Sequence, residues 1–363
     1  MYGRKKAPAE ISRTGGKFMC NIAGYVGEKD AAPILIEMMK KQEGLAGGYY
    51  TGIATICDGK LHYAKLTGDT DRLVSLTEAA KLPGKIGIIH SRSNAGGGDE
   101  WAHPFVGMKK GIPVSAYVAN GIPGKFDKSN HNAVVQRLID GGYDMNAHLT
   151  DVEKGRYMDL PDGTSVHISD VMCQLIFCNE EKCGNPVEAM TDAFCEIPAE
   201  IVGLYISLCA SDRIFWSRIN RPMMAGFSDH GAYLATSAIA FPDDASEPFA
   251  LPACASGYIT SGEVNITAYP KPPVCVEPMN LSLRSRAYEK ICAKLKTGFF
   301  NFKELKNEIM PLFGEGGCYQ DALMTYEVLY ALHKQSKLCI DKRIVPGAVD
   351  GIDAPKFYLN CEL

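Results

Sequence analysis

The chain has 363 residues, of which 46% are hydrophobic and 22% charged, with a formal net charge of -4; that length suits one large domain plus a smaller one. No apolar run approaches the roughly 20 residues needed to span a bilayer, and the mild acidity predicts no attraction to nucleic acid or an anionic membrane. The 13 cysteines are odd in number and contain no C-x-x-C pair, which argues against a disulfide framework and for a reducing, cytoplasmic location.

Residues 1–19 (MYGRKKAPAEISRTGGKFM) are basic and polar and lack the apolar core of a secretory signal. They end at Met19-Cys20. Either translation starts at Met19 or the segment is a removed propeptide, and both expectations leave Cys20 at the mature terminus. The alternative is an internal Cys20 that is a plain small core residue.

Ile22–Val26 is short, apolar and followed by Gly27, so it reads as a buried strand. Ala31–Lys41 has helical spacing, with Pro33 in the first turn where its missing N–H is harmless. Ile53–Cys57 and Leu61–Lys65 flank Asp58-Gly59, a hairpin signal. Lys85–Ile89 reads as a strand ending at His90, and Val114–Val118 as one running into Asn120-Gly121. Helical patterning follows in Val171–Phe177 and Pro186–Phe194. Strands are predicted at Ile201–Cys209, Arg213–Ser217, Tyr233–Thr236, Tyr258–Thr260 and Val264–Ala268. The even spacing of Cys173, Cys178 and Cys183 is read as buried thiols rather than a metal site.

Proline-rich residues 270–278 form a stiff linker. Beyond it, Leu283–Thr297, Phe302–Leu312 and Asp321–Lys334 read as amphipathic helices, and Lys337–Ile344 and Lys356–Leu359 as two strands. Three helices followed by a two-stranded wing resemble a winged helix. Residues 281–363 hold 12 Lys/Arg against 10 Asp/Glu, and the candidate recognition helix carries Asp321 and Glu327. Docking to protein is therefore favoured over nucleic acid. The expected domains are a leader (1–19), a catalytic domain (20–269), the linker (270–278) and a C-terminal winged-helix-like domain (279–363).

An N-terminal cysteine supplies both a nucleophile and its own base. Its α-amine has an unperturbed pKa of about 7.7–8.0, so a useful fraction is neutral near pH 7, and the thiolate formed is the attacking species. No histidine partner is then required, and His90 and His103 read as isolated structural residues. Asn120-Gly121 at a strand end offers a side-chain amide and a backbone N–H to an oxyanion, although an Asn-Gly pair taken alone is simply a turn. Arg92 suits a substrate carboxylate, and Asp170 suits a substrate ammonium, unless it is merely a first-turn helix acid.

The order of these segments resembles the class II glutamine amidotransferase domain of the N-terminal-nucleophile hydrolase superfamily. The segments are Cys20 with NIAGYVG, then GIIHSRSNAGGG with AHPF, YVANGI, ISDVMCQLI and GLYISLCASDRIFWSRINRPMMAGFSDHGAYLATSAIAF. The resemblance runs from Cys20 to Tyr269. It implies an α+β, four-layer αββα sandwich carrying the small C-terminal winged-helix-like domain. It also implies Cys20 as nucleophile and base, Asn120 and Gly121 as the oxyanion hole, Arg92 on the substrate carboxylate and Asp170 on its ammonium. Asn21 stands where the family has glycine. Ser93-Asn94 replaces Trp-Ala, and Gly47-Gly48-Tyr49-Tyr50-Thr51 replaces Arg-Gly-Tyr-Asp-Ser.

The implied activity is hydrolysis of glutamine to glutamate and ammonia through a Cys20 thioester. The acceptor site is expected on a separate synthase or aminotransferase subunit, because about ninety residues beyond the linker are too few for a sugar-isomerase domain. No G-x-G-x-x-G in a strand–turn–helix setting and no Walker loop occurs, so no cofactor and no metal are expected. The alternatives are an N-terminal-cysteine hydrolase of another amide and an inactive regulatory or binding module.

Overall fold

Strand β1 (Asn21–Gly27) shows how the chain builds its layers, because both of its faces are buried. Ile22 and Val26 point into one apolar cluster and Ala23 and Tyr25 into another, as the two-residue side-chain period of a strand requires. A computed structural model describes residues 20–94, 96–122, 126–149, 158–160, 162–276, 279–313 and 320–361. The predicted leader lies outside the described residues.

In chain order β1 is followed by α1 (Ala31–Gln42), β2 (Tyr50–Cys57), β3 (Lys60–Thr67), α2 (Thr70–Leu76), β4 (Ile86–Arg92), β5 (Phe105–Lys109), β6 (Ile112–Ile122) and α3 (His131–Asp140). The short strands β7 (His148–Leu149), β8 (Met158–Asp159) and β9 (Ser165–Val166) lead into α4 (Ile168–Cys183) and α5 (Pro186–Glu196). Next come β10 (Glu200–Ser207), β11 (Ile214–Arg218), β12 (Met224–Ser228), β13 (Gly231–Ala235), a 3-10 turn at Ala238–Ala240, β14 (Phe249–Ala250), β15 (Ala255–Ile259) and β16 (Val264–Ala268). The chain continues through α6 (Leu281–Leu295), α7 (Phe302–Ile309), α8 (Asp321–Lys334), β17 (Leu338–Pro346) and β18 (Asp353–Cys361).

One sheet has the order β14-β12-β13-β1-β4-β2-β3 and the other β16-β15-β11-β10-β6-β5. All their pairings are antiparallel. Between the sheets, Ile22, Ile86 and Ile88 meet Val118, Leu204 and Trp216. On the outer face of the first sheet, Ala23, Ile53 and Ile89 pack on Leu35 and Met39 of α1. On the outer face of the second, Tyr117, Ile201 and Tyr205 pack on α4 and α5 through Val171, Leu175 and Phe194. The result is helix, sheet, sheet, helix, which matches the predicted layering.

Local chemistry explains several boundaries. Asp58 and Gly59, at φ 49° and 69°, form the tight turn that sets the β2–β3 register. Helix α4 ends on Gly184 in the left-handed region, at φ 67°. Asn301 and Glu304 form a reciprocal capping box at the start of α7.

Three expectations need correction. Strand β4 does not end at His90 but runs through Arg92, and β6 runs past Val118 and carries Asn120 and Gly121 near its end, the strand-end placement expected for them. Helices α2 and α3 and strand β12 were not predicted. Cys173 and Cys178 are buried in α4, whereas Cys183 is exposed at its end, so the three do not share one buried environment. After the linker, α6, α7, α8 and the β17–β18 pair enclose Ile291, Leu305, Leu329 and Leu359. Leu45 and Ile239 from the earlier part of the chain belong to that same cluster. Nine of the 14 residues of α8 are buried, so this helix does not present a free recognition face.

Candidate active site

Cys20 stands half-buried just before β1. Its main-chain N–H donates to Asn120 Oδ1 across the gap between the sheets, at 3.3 Å. Its Sγ lies 3.8 Å from Ser93 Oγ. Burial pushes the thiol pKa up, and the Ser93 contacts and the Arg92 and Arg221 guanidinium charges pull it back only partly. The resting sulfur is therefore a thiol, and attack needs a base.

Asn120 is buried, and its Nδ2 has no partner among the described residues. An unpaired buried amide donor is costly, a cost that a bound acceptor would remove. Gly121 follows it, opposite Ile201 of β10. A Cβ at Gly121 would sit 2.6 Å from Ile201 Cγ1, so the residue must be glycine for β6 to pair closely here. Strand β5 stops pairing at Phe105 opposite Tyr117, leaving Val118–Ile122 beyond the reach of that neighbour. Asn120 and Gly121 are on this stretch.

His90 and His103 are not isolated: their rings stack with centroids 3.8 Å apart, and His103 meets His167 edge-on at 5.4 Å. Burial holds His90 down at about 3. His103 and His167 are also held well below the ordinary range, by burial first and then by neighbouring positive charge. His90 Nε2 is engaged with Ala119 O at 3.0 Å. These neutral, buried rings support β4 and β6 from beneath and are poor candidates for the base.

Arg92 is buried at the end of β4. Its Nη1 donates to Trp101 O at 3.0 Å and its Nη2 to Gly96 O at 2.9 Å, with its guanidinium 4.5 Å from the Tyr50 ring centroid. It therefore shapes the loop from Ser93 to Trp101. Asp170 is buried in the first turn of α4. Its Oδ2 accepts from the Asn146 and Ala147 amides at 2.6 and 2.8 Å, and its Oδ1 from Gln174 Nε2 at 3.3 Å. Trp101 Nε1 donates to His148 O at 3.3 Å, so the Arg92 loop and the Asp170 loop are joined. Cys20, Asn120, Gly121 and Arg92 meet around the gap between the sheets. Asp170 holds the main chain of Asn146 and Ala147.

No protein-family model matches the chain. Over 175 residues it is 31% identical to the glutamine–fructose-6-phosphate aminotransferase (isomerizing) of Clostridium perfringens, covering 45% of this chain and 27% of the relative. Over 229 residues it is 30% identical to the enzyme of the same name from Pyrococcus horikoshii, covering 61% of this chain and 33% of the relative. The chain thus spans about a third of the length of these curated relatives. Among solved structures, the glutamine phosphoribosylpyrophosphate amidotransferase of B. subtilis superposes with a TM-score of 0.54 at 17% identity, covering 76% of this chain and 58% of that one. A structure titled as the allosteric regulatory enzyme of purine biosynthesis gives 0.54 at 16%, covering 85% of this chain and 63% of that one. At that identity the likeness establishes the fold alone. In sequence the chain is similar to glutamine–fructose-6-phosphate aminotransferases over part of their length, and its fold is that of a solved glutamine amidotransferase.

The departures from the family pattern noted in the sequence have physical consequences. Asn21 is fully buried, and its Nδ2 donates to Gln42 O and Ala46 O at 2.7 and 2.6 Å. It fastens the loop after α1 to the strand that carries the nucleophile, a tie that glycine cannot make. In the next loop Gly48 N donates to Ser91 Oγ, which donates to Glu43, a carboxyl that also accepts from the Thr70 amide and hydroxyl. This buried network holds the loop that begins at Gly47, where the family sequence has arginine. Ser93, noted in the sequence only as a replacement, places its hydroxyl 3.8 Å from the Cys20 sulfur.

Glu43 and His167 carry no signal in the sequence, and Arg221 lies in a quoted segment without standing out there; only the fold gives each its partners. No described helix is long and apolar enough to cross a membrane.

Proposed function

We propose that this chain is a glutaminase that hydrolyses glutamine to glutamate and ammonia through a Cys20 thioester. Ammonia passes to an acceptor site outside the described residues, which we assign to a separate synthase or aminotransferase subunit. The observation that carries the reading is the Asn120 amide, with its oxygen on the Cys20 main chain and its Nδ2 unpaired among the described residues.

In this mechanism Cys20 is the mature N-terminal residue, and its free α-amine takes the proton from Sγ as sulfur attacks the γ-carboxamide carbon. The oxyanion is held by Asn120 Nδ2 and the Gly121 N–H, each such donor lowering the barrier by about 3 kcal/mol. The C–N bond then breaks, the α-ammonium returns its proton to the leaving nitrogen, and ammonia departs. Water, deprotonated by the same amine, cleaves the thioester to glutamate. Arg92 takes the substrate carboxylate and Asp170 its ammonium, after giving up some of the main-chain partners they hold here.

Intact-mass analysis of protein made from the native gene should give a chain that begins at Cys20 and releases ammonia from glutamine. The Cys20→Ala variant should be inert. A mature chain that keeps residues 1–19 sinks the mechanism. Co-purification of a subunit that aminates its substrate only with this chain present supports the acceptor assignment.

A second reading, hydrolysis of another amide, is favoured by one observation. Both candidate recognition groups, Arg92 and Asp170, bond to main chain. Turnover of asparagine or a simple acyl amide in preference to glutamine would select it.

A further inference from the structure

The loop after α1 lies between the C-terminal hairpin and the two strands that carry the site. It runs from Glu43 to Tyr49 and contains Gly44, Gly47 and Gly48, which supply no side chain to pack. Glycine also gives up the most conformational freedom on folding, so the order of this loop has to come from its neighbours.

Strand β18 holds the outer side. Phe357 N donates to Gly44 O at 2.7 Å, and the buried Phe357 ring lies so close to Gly44 that no Cβ fits there. Pro355 covers Gly48, where a Cβ would meet Pro355 Cδ at 2.9 Å. Leu45, between these two contacts, is buried in the cluster that holds Leu329, Phe357 and Leu359.

The inner side is bonded to the site. Asn21 Nδ2 donates to Gln42 O and Ala46 O, and Gln42 Nε2 donates to Ile22 O at 3.3 Å. The loop is thus tied to both residues that follow Cys20. Gly48 N donates to Ser91 Oγ at 2.7 Å and Tyr49 N to Arg92 O at 3.0 Å. It is thus also tied to the two residues that precede Ser93, whose hydroxyl lies 3.8 Å from the Cys20 sulfur. One glycine-rich loop separates β18 from the two chain segments that place the thiol.

We propose that the C-terminal unit is a clamp on the nucleophile: Phe357 and Pro355 press residues 43–49 onto β1 and β4 and so fix where Cys20 and Ser93 stand. Phe357 is then a positioning residue that acts on the thiol through the loop. Its effect on turnover rests on the glutaminase reading; its effect on the thiol does not.

The test uses the full chain in three variants, each held at a temperature where circular dichroism shows it folded. Phe357→Ala frees the loop. Leu305→Ala opens a cavity in the same cluster but leaves Phe357 and Pro355 in place, so it controls for lost stability. Phe357→Leu still fills much of the space over Gly44. Phe357→Ala should speed deuterium exchange of the Gly48 and Tyr49 amides about tenfold and iodoacetamide alkylation of Cys20 about fivefold, through local opening. It should lower kcat for glutamine about tenfold, because a small misplacement of a reacting atom is costly. Leu305→Ala and Phe357→Leu should stay within about threefold of wild type in all three readouts. Equal exchange or equal alkylation in Phe357→Ala and Leu305→Ala overturns the proposal. Should Phe357→Ala not fold, Pro355→Ala, at a half-buried position of the same contact, is judged by the same comparison. If the wild-type chain turns over no glutamine, the glutaminase reading falls, and the exchange and alkylation rates decide the clamp by themselves.

Discussion

The Cys20 main-chain nitrogen and the Asn120 side chain, 100 residues apart, are joined by a 3.3 Å hydrogen bond, and that bond determines which way the amide faces. The main-chain N–H of Cys20 donates, so it takes Oδ1 and leaves Nδ2 without a partner among the described residues. In the proposed reaction the nucleophile thus orients its own oxyanion donor.

Asn120→Asp keeps an acceptor for Cys20 but removes the donor, and Asn120→Ala removes both. Both should lower kcat for glutamine by about 100-fold or more, the loss typical of one oxyanion donor. Steady-state kinetics alongside thermal melts will check this. An Asp variant with near-normal kcat would show that Nδ2 does not meet the oxyanion.

Arg92 forks onto two carbonyls and lies against Tyr50, a geometry a lysine ammonium cannot reproduce. Arg92→Lys should raise KM for glutamine at least tenfold and destabilise the chain by about 1–3 kcal/mol, as the Trp101 and Gly96 carbonyls lose donors. Urea unfolding and glutaminase assays measure the two effects. A variant with unchanged KM would leave Arg92 with a purely structural role.

Glu43 is buried, and burial raises its carboxyl from 4.5 to about 7. The folded state therefore holds this proton more tightly than the unfolded chain. Its contribution is most favourable below about pH 4.5 and is lost as pH rises to about 7, by about 3 kcal/mol over that window. Glu43→Gln should remove this slope, so the variant gains stability relative to wild type between pH 5 and 8. Parallel slopes for the two proteins in denaturant titrations across that range would contradict the assignment.

The histidine cluster acts in the opposite direction. His90, His103 and His167 are held neutral in the fold, so the unfolded state takes up their protons first as pH falls below about 6.5. Each then costs about 1.4 kcal/mol of stability per pH unit. His103 has no partner at either ring nitrogen among the described residues. His103→Phe should therefore keep the stacked shape and flatten the acid limb of the stability curve by one proton. An unchanged slope would mean that His103 is not buried neutral.

Much of the architecture was legible from local pattern. The short apolar strands, the Asp58-Gly59 turn, the capped helices and the run of three helices followed by two strands are all set by neighbours within a few residues. The segment order around Cys20, Arg92, Asn120 and Asp170 was sufficient to point to the family. Boundaries were harder. Asn120-Gly121 has the composition of a turn, and only pairing with Glu200–Val202 keeps it in a strand.

The chemistry of the site depends on distances that no spacing encodes. His90 and His103 become one stacked pair because β4 and the loop before β5 fold back on each other. Asn21 becomes a loop tether because α1 ends beside β1. Leu323 looks like an ordinary core residue of an amphipathic helix, and it meets Ala238 and Ala240 only because α8 packs on that turn. Local preference acts over one turn or one hairpin, whereas an active site is made of contacts separated by a hundred residues or more. Those contacts exist only once two sheets, their helices and the C-terminal unit have closed on one another.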